Sequence, residues 1–400
     1  MKKRIAQALL VAALLTGAAF AGGGGAPQAP GGGLHYQVSN LPPLGGTSSV
    51  GFSINDRGWV AGRSNLAGNQ SRHATLWRNG VLTDLGTLGG PNSAVLWPVK
   101  NLRGIVTGIA QSNEPDLLNE TWSCGFFFPL ATRTGKRCFG FKWEDGVMTR
   151  LPTLGGTHGF ATGSNNLGQT VGWAENAVHD STCVPPQQLQ FRAVVWGPGD
   201  NQKRQLRPLP GTDDTSTADT AINDFGQVVG ISGICDQAVG RFSAIHNVLW
   251  EQETSRPIDI GDFGGIAWNT PMAINQRGDV VGFANASEAD GANFNPRAFL
   301  WTSSQGIRNL GAVPGDVTSQ ATGINEWRQI VGQSCDANDN CRGFLWQNGQ
   351  MTDLQDLVVG DYDDVITTAN DIDDLGRITG QAFDPDTGQF FAFVAKPVFD

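Results

Sequence analysis

Residues 222–230 read INDFGQVVG, and this pattern decides the fold because it recurs along the chain. Each copy is an apolar run, an Asn/Asp-x-x-Gly turn and a β-rich run that ends in Gly, which predicts a hairpin. The other copies read INDRGWVAG (54–62), NLRGIVTG (101–108), NNLGQTVG (165–172), INQRGDVVG (274–282), INEWRQIVG (324–332) and IDDLGRITG (372–380). Measured from turn Asn or Asp to the next, the spacing is between 46 and 64 residues.

Two further β-type elements follow in each repeat except the last, which has only the first of them. The first ends in Trp in six of the seven copies: HATLW (73–77), FGFKW (139–143), RAVVW (192–196), HNVLW (246–250), RAFLW (297–301), RGFLW (342–346) and FAFVA (391–395). The second precedes a Gly-rich corner, as in VLTDLGTLGG (81–90). A repeat therefore holds four short strands, here called a, b, c and d. Four strands in about 40–50 residues is the period of a β-propeller blade.

The two ends of the chain complement each other. The last repeat stops after strand c, whereas residues 36–41 (YQVSNL), followed by PPLGG, form a strand d that precedes the first repeat. We therefore predict an all-β, seven-bladed β-propeller over residues 34–400, with the ring closed by the N-terminal strand in the last blade. Closure removes exposed sheet edges. Two β-sandwiches are the alternative fold, but they do not explain this complementarity.

The N-terminus predicts export. Lys2, Lys3 and Arg4 precede a mostly apolar run that ends at Ala19-Phe20-Ala21, so residues 1–21 are expected to be a signal peptide. A membrane anchor is the alternative, but the run is shorter than the roughly 20 residues that a span needs. Residues 22–33 (GGGGAPQAPGGG) are expected to be a flexible tether. No span is predicted in the mature chain, which we expect to be monomeric and extracellular or periplasmic.

Six cysteines in an exported chain predict disulfides. Cys124 and Cys138 share the b–c connection of the second repeat, and Cys335 and Cys341 share that of the sixth. Cys183 and Cys235 lie in the b–c connections of adjacent repeats. The expected pairs are therefore 124–138, 335–341 and 183–235, which would staple long loops.

Composition and motifs exclude several functions. The net charge of −10 and a pI near 5.0 disfavour nucleic acid as a partner, because phosphate contacts need Lys and Arg. Signatures of serine hydrolases, zinc proteases and nucleotide-binding proteins are missing. The five histidines show no metal-ligand spacing, and no cofactor or metal is predicted. Two acidic loops, around Asp336 and Asp384, are interpreted as solvated turns rather than calcium sites.

The repeat motifs resemble the HAF family of extracellular repeat proteins, named for a His-Ala-Phe element in strand c. The best matches are HATLW (73–77), RAFLW (297–301), DLGTLGG (84–90) and the INDxGxVxG run, and they extend over nearly the whole mature chain. The resemblance implies secretion and a repeat architecture. It brings no established activity and no catalytic residues.

The expected binding face carries the b–c and d–a connections, because these vary most in length. Its ligand-binding candidates are four tryptophans outside the repeat, whose exposed faces could stack on sugar rings: Trp97, Trp122, Trp173 and Trp268. Burial beneath loops is the alternative and the favoured interpretation for large aromatic side chains. Trp59 and Trp327 lie near the a–b turns and are interpreted as local packing. The six tryptophans of strand c are expected to pack between blades.

These features predict a secreted binding or interaction module whose ligand is a glycan, a peptide or a cell-surface partner. The alternative is a propeller-fold lyase or hydrolase, with a carboxylate or with His158 or His179 at the channel mouth. Buried carboxylates about 5–9 Å apart would favour that alternative, because glycoside hydrolysis uses such pairs.

Overall fold

Short antiparallel strands form nearly all of the regular structure in the computed structural model. It describes residues 33–120, 122–199, 202–238, 241–252, 254 and 256–399, except for the side chains of Trp122, Ser123 and Phe399. The predicted signal peptide, 1–21, and residues 22–32 of the predicted tether lie outside the described residues.

The regular elements alternate with turns and loops. The strands are β1 Leu34–Asn40, β2 Gly45–Ile54, β3 Val60–Leu66, β4 Arg72–Arg78, β5 Val81–Asp84, β6 Gly89–Ala94, β7 Val106–Pro115, β8 Lys136–Glu144, β9 Val147–Arg150, β10 Gly155–Ser164, β11 Thr170–His179, β12 Leu189–Trp196, β13 Lys203–Gln205, β14 Ser216–Ile222, β15 Val228–Gly233, β16 His246–Trp250, β17 Pro257–Asp259, β18 Thr270–Ile274, β19 Val280–Ala284, β20 Arg297–Thr302, β21 Gly306–Gly311, β22 Thr318–Ile324, β23 Ile330–Cys335, β24 Cys341–Gln347, β25 Gln350–Asp353, β26 Val365–Ile372, β27 Ile378–Asp384 and β28 Gln389–Phe399. The helices are α1 Trp122–Gly125, α2 Glu288–Asn293 and the 3₁₀ helix Leu354–Leu357.

The strands form four-stranded units in chain order. Unit 1 is β2–β5, unit 2 is β6–β9, unit 3 is β10–β13, unit 4 is β14–β17, unit 5 is β18–β21 and unit 6 is β22–β25. Unit 7 consists of β26, β27 and β28 with β1 as its fourth strand. The predicted pairing of the N-terminal strand is thus confirmed: Val38 lies opposite Ala395, and the Leu41 N–H donates to the Ala392 oxygen over 2.7 Å.

Neighbouring units pack face to face, and the last packs against the first. Strand β2 of unit 1 contacts β27 and β28 of unit 7, and Ser48 forms a parallel bridge with Phe390. The tryptophan of strand c takes part in these junctions, because the Nε1 of Trp196 donates to the Pro152 oxygen of unit 2 over 2.9 Å. At the junction of units 7 and 1, Trp77 makes the same bond to Pro42 over 2.8 Å. The predicted packing role of these tryptophans is confirmed.

The turn asparagine repeats because it makes two kinds of contact at once. In unit 4, Oδ1 of Asn223 accepts the N–H groups of Phe225 and Gln227, which fixes the turn. Its Nδ2 donates across the unit boundary to the Asn275 oxygen over 3.1 Å. Equivalent side-chain bonds run from Asn55 to Asn101, from Asn165 to Asn223, from Asn275 to Asn325 and from Asn325 to Asp373.

The glycine that ends each strand-b run is required by close backbone contact. A Cβ on Gly332 would lie 1.9 Å from the Gln320 oxygen, and one on Gly172 would lie 2.0 Å from the Phe160 oxygen. Backbone oxygen cannot move away as a flexible side chain can. A substitution at this position must therefore displace strand a of the same unit.

All three predicted disulfides are confirmed. Cys124–Cys138 closes a loop of unit 2, Cys335–Cys341 joins two paired strands of unit 6, and Cys183–Cys235 connects units 3 and 4. In the part of the chain that the structure describes, none of the helices has the length and apolar character needed to cross a bilayer.

Candidate functional site

The antiparallel meander gives the molecule two faces. The turn face carries the a–b and c–d turns, and the loop face carries the longer b–c and d–a connections, including α1 and α2. The loop face was the predicted binding face. Both faces hold candidate sites, and their geometries differ.

The predicted tryptophans of the loop face lie inside the molecule. Trp97, Trp173 and Trp268 are 9%, 3% and 7% exposed and belong to the largest apolar cluster. Trp97 contacts Phe160 edge to face, and Trp173 stacks on the same ring. These three indoles therefore offer no open face for stacking on a sugar in this structure.

The fourth candidate is Trp122, which begins α1. Its side chain lies outside the described residues. A contact between any of the four tryptophans and a ligand stays a prediction, and the burial of Trp97, Trp173 and Trp268 agrees with the favoured interpretation that such side chains cover the core.

A buried polar cluster lies beneath the loop face between units 2 and 3. Oε2 of Glu175 accepts the backbone N–H groups of Thr157 and His158, at 3.1 and 2.8 Å. Oε1 of Glu120 accepts those of Gln188 and Leu189, at 2.8 and 2.6 Å. Glu120 thus joins the b–c connection of unit 2 to the start of β12 in unit 3, and Glu175 joins β11 to its neighbour β10.

His158 lies between these carboxylates and is fully buried. Its Nδ1 accepts the N–H of Cys138 at 3.1 Å, and its Nε2 lies 3.5 Å from Oδ2 of Asp116. Burial opposes a charge on the imidazole, but the contact with Asp116 and the charges of Glu175 and Glu120 outweigh it and raise the pKa of His158. Burial also raises the pKa of Glu175.

The cluster has the spacing of a metal site, but Nε2 of His158 does not offer the lone pair that a metal ion requires. Atoms of Glu120, His158 and Glu175 lie within 4.8 Å of one another. A metal-binding histidine normally donates the proton on its other ring nitrogen, whereas Nδ1 here accepts from Cys138. The ring that accepts this bond therefore carries its proton on Nε2, and a charged ring, with protons on both nitrogens, would lose the Cys138 bond. Neither form leaves Nε2 free for a metal, and the cluster is best explained as a structural network.

The other polar candidates also make local contacts. His179 is exposed at the end of β11. Oδ1 of Asp336 accepts the N–H groups of Asn338 and Asn340, and Oδ1 of Asp384 accepts those of Asp386 and Thr387. Each acidic loop is thus a turn capped by its own carboxylate.

The turn face carries an open groove of about 430 Å³ at the junction of units 6 and 7. The groove is lined by Leu34 and Tyr36 of β1, Trp327 and Gln329 of unit 6, Gln347 and Asn348 at the next turn, and Asp374, Leu375, Gly376 and Pro397 of unit 7. Because β1 contributes to it, this groove depends on the pairing between the two ends of the chain.

Trp327 is the exposed aromatic side chain of this groove, with 67% of its surface accessible. Its Nε1 donates to the Asp374 oxygen over 2.9 Å, which holds the indole in one orientation. The interpretation of Trp327 as local packing is wrong, whereas it holds for Trp59, which lies beneath the guanidinium groups of Arg57 and Arg78. The two side chains occupy different turn positions: Trp59 is the fourth residue after the turn Asn, whereas Trp327 is the second, a position that is also exposed as Phe225 in unit 4.

The fourth residue after the turn Asn differs between the junction of units 1 and 2 and that of units 6 and 7. In unit 1 this residue is Trp59, which reaches the Gly104 backbone and fills the junction with unit 2. In unit 6 it is Gln329, and a Cβ on Gly376 would find its nearest neighbours at 3.6 Å or more. Gln169 and Gln227 occupy the same position in units 3 and 4, so the shorter side chain permits the groove but does not by itself create it.

Comparisons with known proteins add distant structural similarity. No family model and no curated protein matches the sequence. Solved structures similar to this chain include AofleA from Arthrobotrys oligospora, at 10% identity, TM-score 0.35, and coverage of 82% of this chain and 91% of that one. TolB from Acinetobacter baumannii is 8% identical, with a TM-score of 0.36 and coverage of 82% of this chain and 78% of that one. Trypanosoma rangeli sialidase in complex with sialic acid is 12% identical, with a TM-score of 0.38 and coverage of 92% of this chain and 59% of that one. Similarity this distant carries no argument about function.

Proposed function

We propose that this chain is an exported, seven-bladed β-propeller that acts as a binding module, with its ligand site in the groove between units 6 and 7. Three observations at the 7–1 junction support a closed ring: β1 pairs with β28, β2 contacts β27, and the Trp77 indole bonds to Pro42 as Trp196 bonds to Pro152. In a closed ring every unit packs against a neighbour on both of its faces, so no sheet is left exposed at the end of the array.

Export is part of the proposal. Three disulfides fit an oxidising compartment, and the predicted signal peptide and the resemblance to HAF-family repeat proteins agree with it. The chain is proposed to work as a monomer outside the cytoplasm, with residues 22–33 as a flexible N-terminal tether.

The observation that carries the binding function is Trp327, an exposed indole fixed by a hydrogen bond at the edge of a groove. Exposed aromatic side chains in concave sites contribute most of the binding energy in many interfaces. The enzyme alternative has a weaker basis. Its carboxylates, Glu120 and Glu175, are buried and already accept hydrogen bonds from the chain, so a substrate cannot reach them in this arrangement.

A binding array of glycans, cell-wall polymers and peptides tests the function. We expect the wild-type chain to bind at least one class and Trp327→Ala to lose that binding by about tenfold or more. Phe225→Ala is the matched control, because Phe225 occupies the same turn position in unit 4 and is 64% exposed, away from the groove. Equal binding by wild type and Trp327→Ala would remove the groove as the site.

A further inference from the structure

We infer that the groove between units 6 and 7 binds a neutral saccharide. This inference rests on the proposed function and narrows its ligand to one chemical class. It draws on the aromatic surface, the polar side chains of the walls, the charge of the groove and a buried hydroxyl group.

The aromatic surface suits one apolar face of a pyranose ring. Trp327 is held by its bond to the Asp374 oxygen, so a ligand that stacks on it loses little side-chain entropy on the protein side. Leu375 lies beside it with 62% of its surface exposed. A volume of about 430 Å³ lies within the range of small-ligand sites.

The polar walls present amides rather than charges. Nδ2 of Asn325 donates to Oε1 of Gln329 over 2.8 Å, and Nε2 of Gln329 donates to Oε1 of Gln347 over 3.1 Å. This chain of bonds orients the amides and ends at the Gln347 amide nitrogen in the groove wall. Asn348, at the tip of the turn, adds a further amide. Primary amides match sugar hydroxyls because each group both donates and accepts.

The charge of the groove disfavours anionic ligands. Among the described residues that line it, Asp374 is the charged one, and no lysine or arginine is present. Oδ1 of Asp374 already accepts the Glu326 N–H over 2.8 Å, so this carboxylate has a structural partner. Uronate, sialate, sulfate or phosphate groups would meet a like charge without a compensating cation.

Tyr36 supplies an independent indication of a polar ligand. Its ring is fully buried in the groove wall, and its hydroxyl has no hydrogen-bond partner among the described residues. A buried polar atom without a partner is unfavourable and uncommon in folded proteins. Burial, and then the charge of Asp373, raise the pKa of Tyr36, so the hydroxyl keeps its proton and can donate. The hydroxyl oxygen is itself buried, so it marks a polar position inside the groove wall rather than a contact on the open surface of the groove.

The test is calorimetric titration of the full exported chain with neutral oligomers of glucose, mannose, galactose and N-acetylglucosamine, with oligogalacturonate as the anionic comparison. We expect at least one neutral oligomer to bind more than about tenfold more tightly than oligogalacturonate. Gln329→Trp, which places the unit 1 residue in the groove, should abolish that binding. Phe225→Ala should retain it, and thermal unfolding of each variant checks that the fold is intact.

The possible results separate the two proposals. Preference for oligogalacturonate, or binding of array peptides that depends on Trp327 without any saccharide binding, would overturn the inference and leave the proposed function standing. Saccharide binding that persists in both Trp327→Ala and Gln329→Trp would overturn the groove as the site and thus both proposals. Failure of the wild-type chain to bind any saccharide, peptide or polymer would do the same.

Discussion

Arg377 connects the last turn of the chain to the first through Asp56. Its guanidinium pairs with Asp373 and donates to the Asp56 oxygen over 2.8 Å. In five other turns the side-chain amide of an asparagine donates a hydrogen bond to the next unit. The carboxylate of Asp373 cannot donate such a bond. The Asp373–Arg377 pair therefore takes the place of the asparagine at the 7–1 junction.

The first prediction concerns this replacement. Arg377→Gln alone should lower the free energy of unfolding by about 1–3 kcal/mol, because it leaves the buried Asp373 carboxylate without its cation. The double variant Asp373→Asn/Arg377→Gln should recover most of that loss, since units 3, 4 and 6 pair Asn with Gln at the same positions. Urea unfolding measures the stability of both variants. A double variant less stable than Arg377→Gln would show that an Asn–Gln pair cannot replace the Asp373–Arg377 pair.

The second prediction concerns the N-terminal strand. Removing residues 34–41 from the mature chain should expose the edge of β28 and the apolar cluster against which Tyr36 packs. We expect the shortened chain either to aggregate or to unfold without cooperativity. Removing residues 22–32 instead is the control and should leave the melting temperature within a degree or two. Circular dichroism on heating distinguishes them. A cooperative, soluble chain without β1 would show that this strand does not complete the fold.

The third prediction concerns the pH dependence of stability at Asp371. Burial raises the pKa of this carboxyl to about 6, although the Lys100 ammonium, 2.7 Å away, acts in the opposite direction. Because the folded pKa exceeds the unfolded value of 3.8, the fold favours the protonated acid. Its contribution, about 3 kcal/mol, should be present below pH 4 and be lost as the pH rises through 6.

Lys100→Met provides the test of that assignment. Without the ammonium group, the pKa of Asp371 should rise above about 6, and the loss of stability should extend to higher pH. Carboxyl carbon chemical shifts followed by NMR report the titration directly. An unchanged or lower pKa in the variant would mean that Lys100 does not face Asp371 in solution.

The fourth prediction compares two disulfides by the loops that they close. Cys183–Cys235 spans 52 residues and Cys335–Cys341 spans 6. Loop-closure entropy predicts that replacing the first pair by alanine costs about 4 kcal/mol and the second about 2 kcal/mol. Chemical unfolding under non-reducing conditions measures the difference. The reverse order would show that strand pairing between β23 and β24 depends on its disulfide more than chain entropy suggests.

Much of the fold follows from local patterns. The INDxGxVxG run predicts a hairpin because Asn and Gly suit the turn and the alternating apolar residues suit strands, and the missing strand d at the C-terminus predicts the pairing of residues 36–41 with β28. The disulfides follow in the same way. Cysteines that share a connection, or lie in adjacent ones, are brought close once the period is known.

The site was harder to predict, although the repeat position carries part of its signal: the second residue after the turn Asn or Asp is exposed as Trp327, Phe225 and Leu375. Trp97 and Trp268 are buried instead, because side chains distant in sequence pack on them, such as Phe160 and Phe294. Residue type alone cannot report these distances.

The sequence by itself determined the period, the strand order, the matching ends and the pairing of the cysteines. Each of these depends on the pattern within a repeat, on the number of repeats or on which repeats are adjacent. Only the tertiary structure decided which indole faces solvent and which junction stays open. Those outcomes depend on how side chains from different units share space: Trp59 packs on Gly104 at one junction, whereas β1 and the turns of units 6 and 7 enclose an open groove at another.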